Sequence, residues 1–83
     1  MSTAMSTQFH LRVTAEPDPS SLPRILHHLA NLNITPQRVI AEWGTKGTVH
    51  VQIDFSGLPE QHVDLITAKI GQLPTILQAY WHV

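Results

Sequence analysis

Phe9, Leu11 and Val13 alternate with His10, Arg12 and Thr14, and this period of two predicts a strand near residues 8 to 15 with one buried and one wet face. The period then changes. Leu22, Ile25, Leu26, Leu29 and Leu32 recur at helical spacing, with His27, His28 and Asn31 on the other side as a solvated face. Pro23 is tolerated only in a first turn, where its missing N–H has no intrahelical partner to lose, so the helix cap is placed at Ser20. Asn33 is expected to end the helix in left-handed geometry, and Pro36 prevents its resumption. Val39, Ala41 and Trp43 alternate with Arg38, Ile40 and Glu42 in a second strand, and Gly44-Thr45-Lys46-Gly47 reads as a hairpin turn. Val49, Val51, Ile53 and Phe55 alternate with His50, Gln52 and Asp54 in a third. Ser56-Gly57-Leu58-Pro59 turns the chain into a second helix with Val63, Ile66 and Ile70 inward, closed by Gly71 and Pro74. In the last strand Leu77, Ala79, Trp81 and Val83 are expected inward, alternating with Gln78, Tyr80 and His82.

The order strand, helix, strand, strand, helix, strand predicts an α+β fold of the ferredoxin-like βαββαβ kind. Right-handed crossovers put both helices on one face of a four-stranded antiparallel sheet of order 4-1-3-2, leaving the second and fourth strands as edges. Residues 9–83 form one domain behind a disordered tail at 1–8. The opposite sheet face carries His10, Arg12, Thr14, His50, Gln52, Asp54, Tyr80 and His82, and is polar enough to meet water. Trp43 and Trp81 end the inward rows of the two edges and read as core or interface fillers.

A chain of 83 residues buries only roughly 60% of the surface it exposes when unfolded, so its core is marginal and a partner subunit is expected. The second strand points to where that subunit joins. Ile40 faces outward and Trp43 inward, with only Lys46 in the turn to blunt the edge, so two copies are expected to pair there into one continuous sheet.

The absence of cysteine excludes a disulfide-stapled scaffold, a thiolate nucleophile and sulfur-ligated metal. The cytoplasm is the expected compartment. No apolar run is long enough to span a membrane, and the N-terminus lacks the positive start and apolar stretch of a signal peptide; Met5 is an equally good start. With a formal net charge of −1 and Arg12, Arg24, Arg38, Lys46 and Lys69 scattered, no basic stripe is present for nucleic acid.

Candidate chemistry lies in two places. Glu16-Pro17-Asp18-Pro19-Ser20-Ser21-Leu22-Pro23 ends the first strand and opens the first helix, where free amides and short polar side chains can meet an anion. The bland reading is a helix cap. On the wet face, antiparallel pairing sets His82, His10 and Asp54 in one row, a donor set suited to zinc or nickel, or else a plain polar row. No nucleophile with a base at a recognisable spacing is present, so catalysis is not expected. Neither is a cofactor.

The opening stretch resembles an ACT domain, the small ligand-sensing module associated with enzymes of amino-acid metabolism, and the resemblance spans about residues 9 to 82. Asp18-Pro19-Ser20-Ser21-Leu22 stands where the family has an Asn- or Asp-containing turn followed by Pro-Gly-x-Leu. Leu32-Asn33-Ile34-Thr35-Pro36 stands where it has Gly-x-Asn-Ile. The chain is most similar to the short small regulatory subunits of acetolactate synthase, some of which also lack that glycine. The resemblance implies an amino-acid effector held at Asp18, Ser20, Ser21, Leu22, Asn33 and Thr35, with Ile40 and Trp43 at a homodimer interface. It also implies a large catalytic enzyme subunit of branched-chain amino-acid biosynthesis as partner, docking on a helix face such as Arg24, His27, His28 and Asn31. The chain departs from the pattern at Ser20, which replaces the glycine, at Pro17, which replaces an Asn, and at Pro36, so the turn is degenerate as an amino-acid site. A stand-alone domain answering to a small ligand, metal or pH through its histidine-rich sheet face is the alternative.

Overall fold

The computed structural model describes residues 7–83. The expectation of a disordered tail at 1–8 therefore falls largely outside the described residues, and Gln8 already opens the first strand. This strand, β1 (Gln8–Ala15), buries Phe9, Leu11, Val13 and Ala15 and turns the residues between them to the other face. The helix α1 (Ser21–Asn31) buries Ser21, Ile25 and Leu29. Its end is built as the sequence implies. Asn33 takes φ 62°, its N–H donates to the Ala30 carbonyl at 2.9 Å, and the Ile34 N–H donates to the Leu29 carbonyl at 3.0 Å. That pair of bonds satisfies carbonyls the helix would leave free, and Ile34 packs on the core beside Leu29.

The hairpin of β2 (Arg38–Trp43) and β3 (Val49–Ser56) closes with Gly44 N–H on the Thr48 carbonyl at 2.7 Å, and Gly47 supplies a φ of 75° that a side chain would resist. The second helix, α2 (Glu60–Gly71), buries Val63, Ile66 and Ile70, and β4 (Ile76–His82) completes the sheet. The order is β2-β3-β1-β4, the expected arrangement read from its other edge, and every neighbouring pair is antiparallel. One apolar core lies between the sheet and the helices, from Phe9 to Phe55 along the strands and from Ile25 to Ile70 along the helices.

The two edge strands depart from simple alternation. On β4 the pairing with β1 shifts between Thr14 and Ala15, so that Ala15 faces Ile76. Ile76 takes the place on the core that the sequence assigned to Leu77, which is 56% exposed, and Val83 lies beyond the strand and is also exposed. A bulge of this kind reverses the phase of a period-two pattern without altering the pattern itself. On β2, Val39, Ala41 and Trp43 pair with Ile53, Val51 and Val49 and so point to the helix side, but neither helix reaches far enough to cover them. Trp43 remains 72% exposed and is no core filler.

Candidate functional site

The opening turn is tied down by its own acid. The Asp18 Oδ1 accepts the Ser20 N–H at 2.8 Å and the Ser20 hydroxyl at 2.7 Å, while the Arg24 Nε–H donates to Ser20 Oγ at 3.2 Å. The Ser20 hydroxyl and N–H, helped by the nearby Arg24, hold the Asp18 carboxyl below its ordinary range, so it is ionised at neutral pH. Ser20 stands at the helix boundary but makes no side-chain cap bond. The reason is Pro23. A serine cap serves the amide two or three positions on, and here the third position has no N–H to offer, so the hydroxyl turns back to Asp18.

Ser21 is the buried member of the turn. Its hydroxyl donates to the Glu16 carbonyl at 3.2 Å and shares a hydrogen bond with Thr75 Oγ1 at 2.6 Å, while the Glu16 N–H donates to the Thr75 carbonyl at 2.8 Å. Thr75 holds φ 71°, an uncommon conformation for a β-branched residue, and thereby brings the start of β4 against the turn before α1. Sequence reasoning missed Thr75. Nothing in Leu73-Pro74-Thr75-Ile76 marks a left-handed threonine.

A groove of about 390 Å³ runs beside this turn, with Pro17, Asp18, Pro19 and Leu22 on one wall and Ala41, Trp43 and Val49 on the other. Its lining is largely apolar, and the charge nearest the helix N-terminus is the Asp18 carboxylate. Of the six residues expected to hold an effector, Asp18, Ser21 and Leu22 line this groove. Ser20 is turned to Asp18. Asn33 and Thr35 border a separate hollow with Leu26, Ala30 and Pro36, at the far end of a helix about 16 Å long. Within one copy of the chain the two motifs therefore do not meet.

On the wet face the strands set Arg38, Asp54, His10 and His82 side by side in one row. His10 Nδ1 lies 2.6 Å from Asp54 Oδ1, Gln52 Nε2 donates to the same oxygen at 2.9 Å, and the His10 and His82 rings are 5.2 Å apart. Burial pushes the Asp54 carboxyl up, but the hydrogen bonds from His10 and Gln52 and the charges of His10 and Arg38 outweigh it and hold the carboxyl below its ordinary range. The Arg12 Nε–H donates to His82 Nε2 at 3.2 Å. Among the described residues no group of three His, Cys, Asp or Glu side chains is placed to hold a metal ion. In this structure His10, Asp54 and His82 form a hydrogen-bonded row, with Gln52 on Asp54 Oδ1 and Arg12 on His82 Nε2, and not a converged set of metal ligands.

The histidines of α1 also differ from expectation. His27 is exposed, but His28 is half-buried, with its Nε2 buried and lacking a partner among the described residues. It is not part of a plain solvated face.

A family model described as an ACT-like domain matches residues 2–83. The chain belongs to the ACT-like domain family. The fold of this ACT-like domain is similar to the solution structure of the ACT domain from GTP pyrophosphokinase of Chlorobium tepidum, with TM-score 0.78 and 6% identity over 94% of this chain and 88% of that one. It is also similar to the C-terminal domain of the MgtC protein from Mycobacterium tuberculosis, with TM-score 0.76 and 11% identity over 99% and 90% of the two chains. A homoserine dehydrogenase from Thiobacillus denitrificans contains a similar unit, with TM-score 0.72 and 25% identity over 94% of this chain but 17% of that enzyme. No curated protein matches the chain. Among the described residues no helix is long and apolar enough to cross a membrane.

Proposed function

We propose that this ACT-like domain is a non-catalytic regulatory subunit that pairs with a second copy through β2 and acts on a larger cytoplasmic enzyme of amino-acid metabolism, acetolactate synthase being the enzyme assigned. Membership of a family whose domains generally regulate and bind amino acids carries the reading. A similar unit inside a dehydrogenase named for the amino acid homoserine supports it. The resemblance of Pro19 and Leu22 to the short small subunits supports the choice of enzyme.

Pairing through β2 extends the sheet and brings a second chain over Ile40 and Trp43, closing the groove beside Asp18. The ionised Asp18 already occupies the Ser20 amide and repels a ligand carboxylate, so regulation acts through docking and the amino-acid effector is weakly bound or lost. Docking raises the partner's activity by stabilising a conformation that the free enzyme populates only in part. The test is to co-express the chain with the large subunit from its own genome and to measure acetolactate formation with and without it. Co-purification with raised activity is expected; neither, with the protein folded, removes the synthase.

A further inference from the structure

The outer edge of β2 carries a charge pattern that a second copy can match in only one register. The Gly44 N–H donates to the Thr48 carbonyl, which makes these two a hydrogen-bonded pair at the end of the hairpin. Such pairs alternate along an antiparallel ladder, so Glu42, Ile40 and Arg38, facing His50, Gln52 and Asp54, turn their backbone groups inward to β3. Val39, Ala41 and Trp43 turn theirs outward, and β2 is the last strand on that side of the sheet.

The side chains of the same strand divide by face. Arg38, Ile40 and Glu42 stand on the wet face and Val39, Ala41 and Trp43 on the helix side. Arg38 and Glu42 are exposed, and among the described residues neither is in an ion pair. Arg38 stands beside Asp54, but the Asp54 Oδ1 is taken by His10 and Gln52. Glu42 stands beside His50, whose Nδ1 lies 3.3 Å from the Thr14 hydroxyl. A base and an acid four positions apart, with an isoleucine midway between them, are thus left unpaired along one open edge.

A two-fold axis normal to the sheet sets β2 antiparallel to its copy, and outward backbone groups must then meet outward backbone groups. That condition pairs odd positions with odd and even with even. With Ala41 on the axis, Ile40 faces Glu42 of the other copy; with Val39 on it, Arg38 faces Ile40; with Glu42 on it, two carboxylates face each other. Only with Ile40 on the axis does each Arg38 face Glu42 of the other copy, while the two Ile40 side chains meet between the two charge pairs. These are non-hydrogen-bonded positions, where opposite side chains come closest. On the helix side Val39 then faces Ala41, and Trp43 lies diagonally against Val39 of the other copy.

We propose that Arg38 and Glu42 choose the partner and the register of this edge: a second copy of the chain, with Ile40 on the two-fold axis and each Arg38 against the other copy's Glu42. That the edge pairs at all rests on the function proposed above. The same charges select against other strands, since one lacking an acid opposite Arg38 and a base opposite Glu42 leaves both unmatched.

The chain has no cysteine, so single cysteines read the register directly. In Ile40→Cys the two Cα atoms lie about 4.5 Å apart across the axis, within the span that a disulfide bridges. In Ala41→Cys they are offset by two residues and lie about 8 Å apart, beyond it. With oxidised glutathione as oxidant, Ile40→Cys should run as a covalent dimer on a non-reducing gel and Ala41→Cys as a monomer. Arg38→Glu and Glu42→Arg should each weaken the dimer at least about tenfold in sedimentation, because two attractive pairs become two repulsive ones. Mixing these two variants should restore a dimer holding one chain of each, since acids then face bases on both sides of the axis. Circular dichroism checks folding. Arg38→Glu sets a second acid beside Asp54, and should that variant unfold, Glu42→Arg and the two cysteines decide the register.

A dimer that cross-links at Ala41→Cys and not at Ile40→Cys, or one indifferent to the charge variants, overturns the register and leaves pairing through β2 standing. A wild-type chain that is monomeric at tens of micromolar, on the order of ordinary assay concentrations, removes both. If the dimer behaves as described but no large subunit co-purifies, the enzyme assignment falls and the register stands.

Discussion

The sheet ends at β4 on one side and at β2 on the other, and the two edges are finished in opposite ways. Each carries a tryptophan on its helix side. Trp81 on β4 lies edge-on against Phe9 at 5.4 Å and donates its indole N–H to Asp64 on α2, so its ring joins the core and its polar end is satisfied. Trp43 on β2 has no helix above it. The same residue type at the same kind of position is thus a strut on one edge and an uncovered contact on the other, because α2 packs along β4 while, among the described residues, neither helix packs closely along β2. An edge strand with a bare tryptophan and unpaired backbone is what a second chain can complete.

The largest expected effect on this contrast comes from Trp81→Ala, which should lower stability by about 3 kcal/mol, read as the denaturation midpoint of purified protein. A loss as small as an exposed site gives would make β4 no better packed than β2. Next comes Asp54, which stands between Arg38 of β2 and His10 of β1 in the sheet and is hydrogen-bonded to His10. Asp54→Asn should cost about 2 kcal/mol near neutral pH, since a buried hydrogen bond to a charged group is lost. Because the folded carboxyl sits below its ordinary range, its contribution is complete above about pH 4 and disappears as the pH falls through that lowered value. The gap between wild type and variant should therefore close as the pH falls through that lowered value in acid denaturation, and a gap that persists once both forms are protonated would place the loss in packing instead.

Trp43→Ala tests the open edge. It should change the stability of the isolated subunit by less than about 0.5 kcal/mol while weakening the proposed dimer at least about tenfold, or about 1.4 kcal/mol, in sedimentation over a concentration series. A wild-type chain that stays monomeric at tens of micromolar, on the order of ordinary assay concentrations, would leave β2 an edge without a partner. The smallest effect is that of Trp81→Phe, which keeps an aromatic ring against Phe9 but removes the bond to Asp64. It should cost about 1 kcal/mol, and Asp64→Asn should cost less, since an amide oxygen still accepts from the indole.

Most of the element boundaries were legible because period two and period 3.6 cannot be confused over eight to eleven residues, and because Asn33 and Gly47 mark the left-handed positions at which chains turn. The row of His82, His10 and Asp54 was legible too, since strand order and alternation alone set those neighbours. What filled the row was not. Gln52 sits two residues from Asp54 on the same strand, and only the rotamers show its amide on the Asp54 oxygen. At the turn, Asp18 and Ser20 stand at the spacing at which an Asp side chain takes the N–H two residues on, so that bond had a sequence signal that the preference for Ser20 as cap obscured.

The order of elements, the sheet topology and the inward rows of β1 and β3 follow from the sequence by itself, because each depends on local periodicity and on the handedness of crossovers. The phase reversal at Ile76, the left-handed Thr75, the half-burial of His28 and the opposite fates of Trp43 and Trp81 were decided only in the tertiary structure. Alternation states which side of a sheet a residue faces. Whether anything lies on that side depends on where α1 and α2 come to rest, and that is set by the packing of the whole core around Ile25, Leu29, Val63 and Ile70 and not by the alternation within one strand.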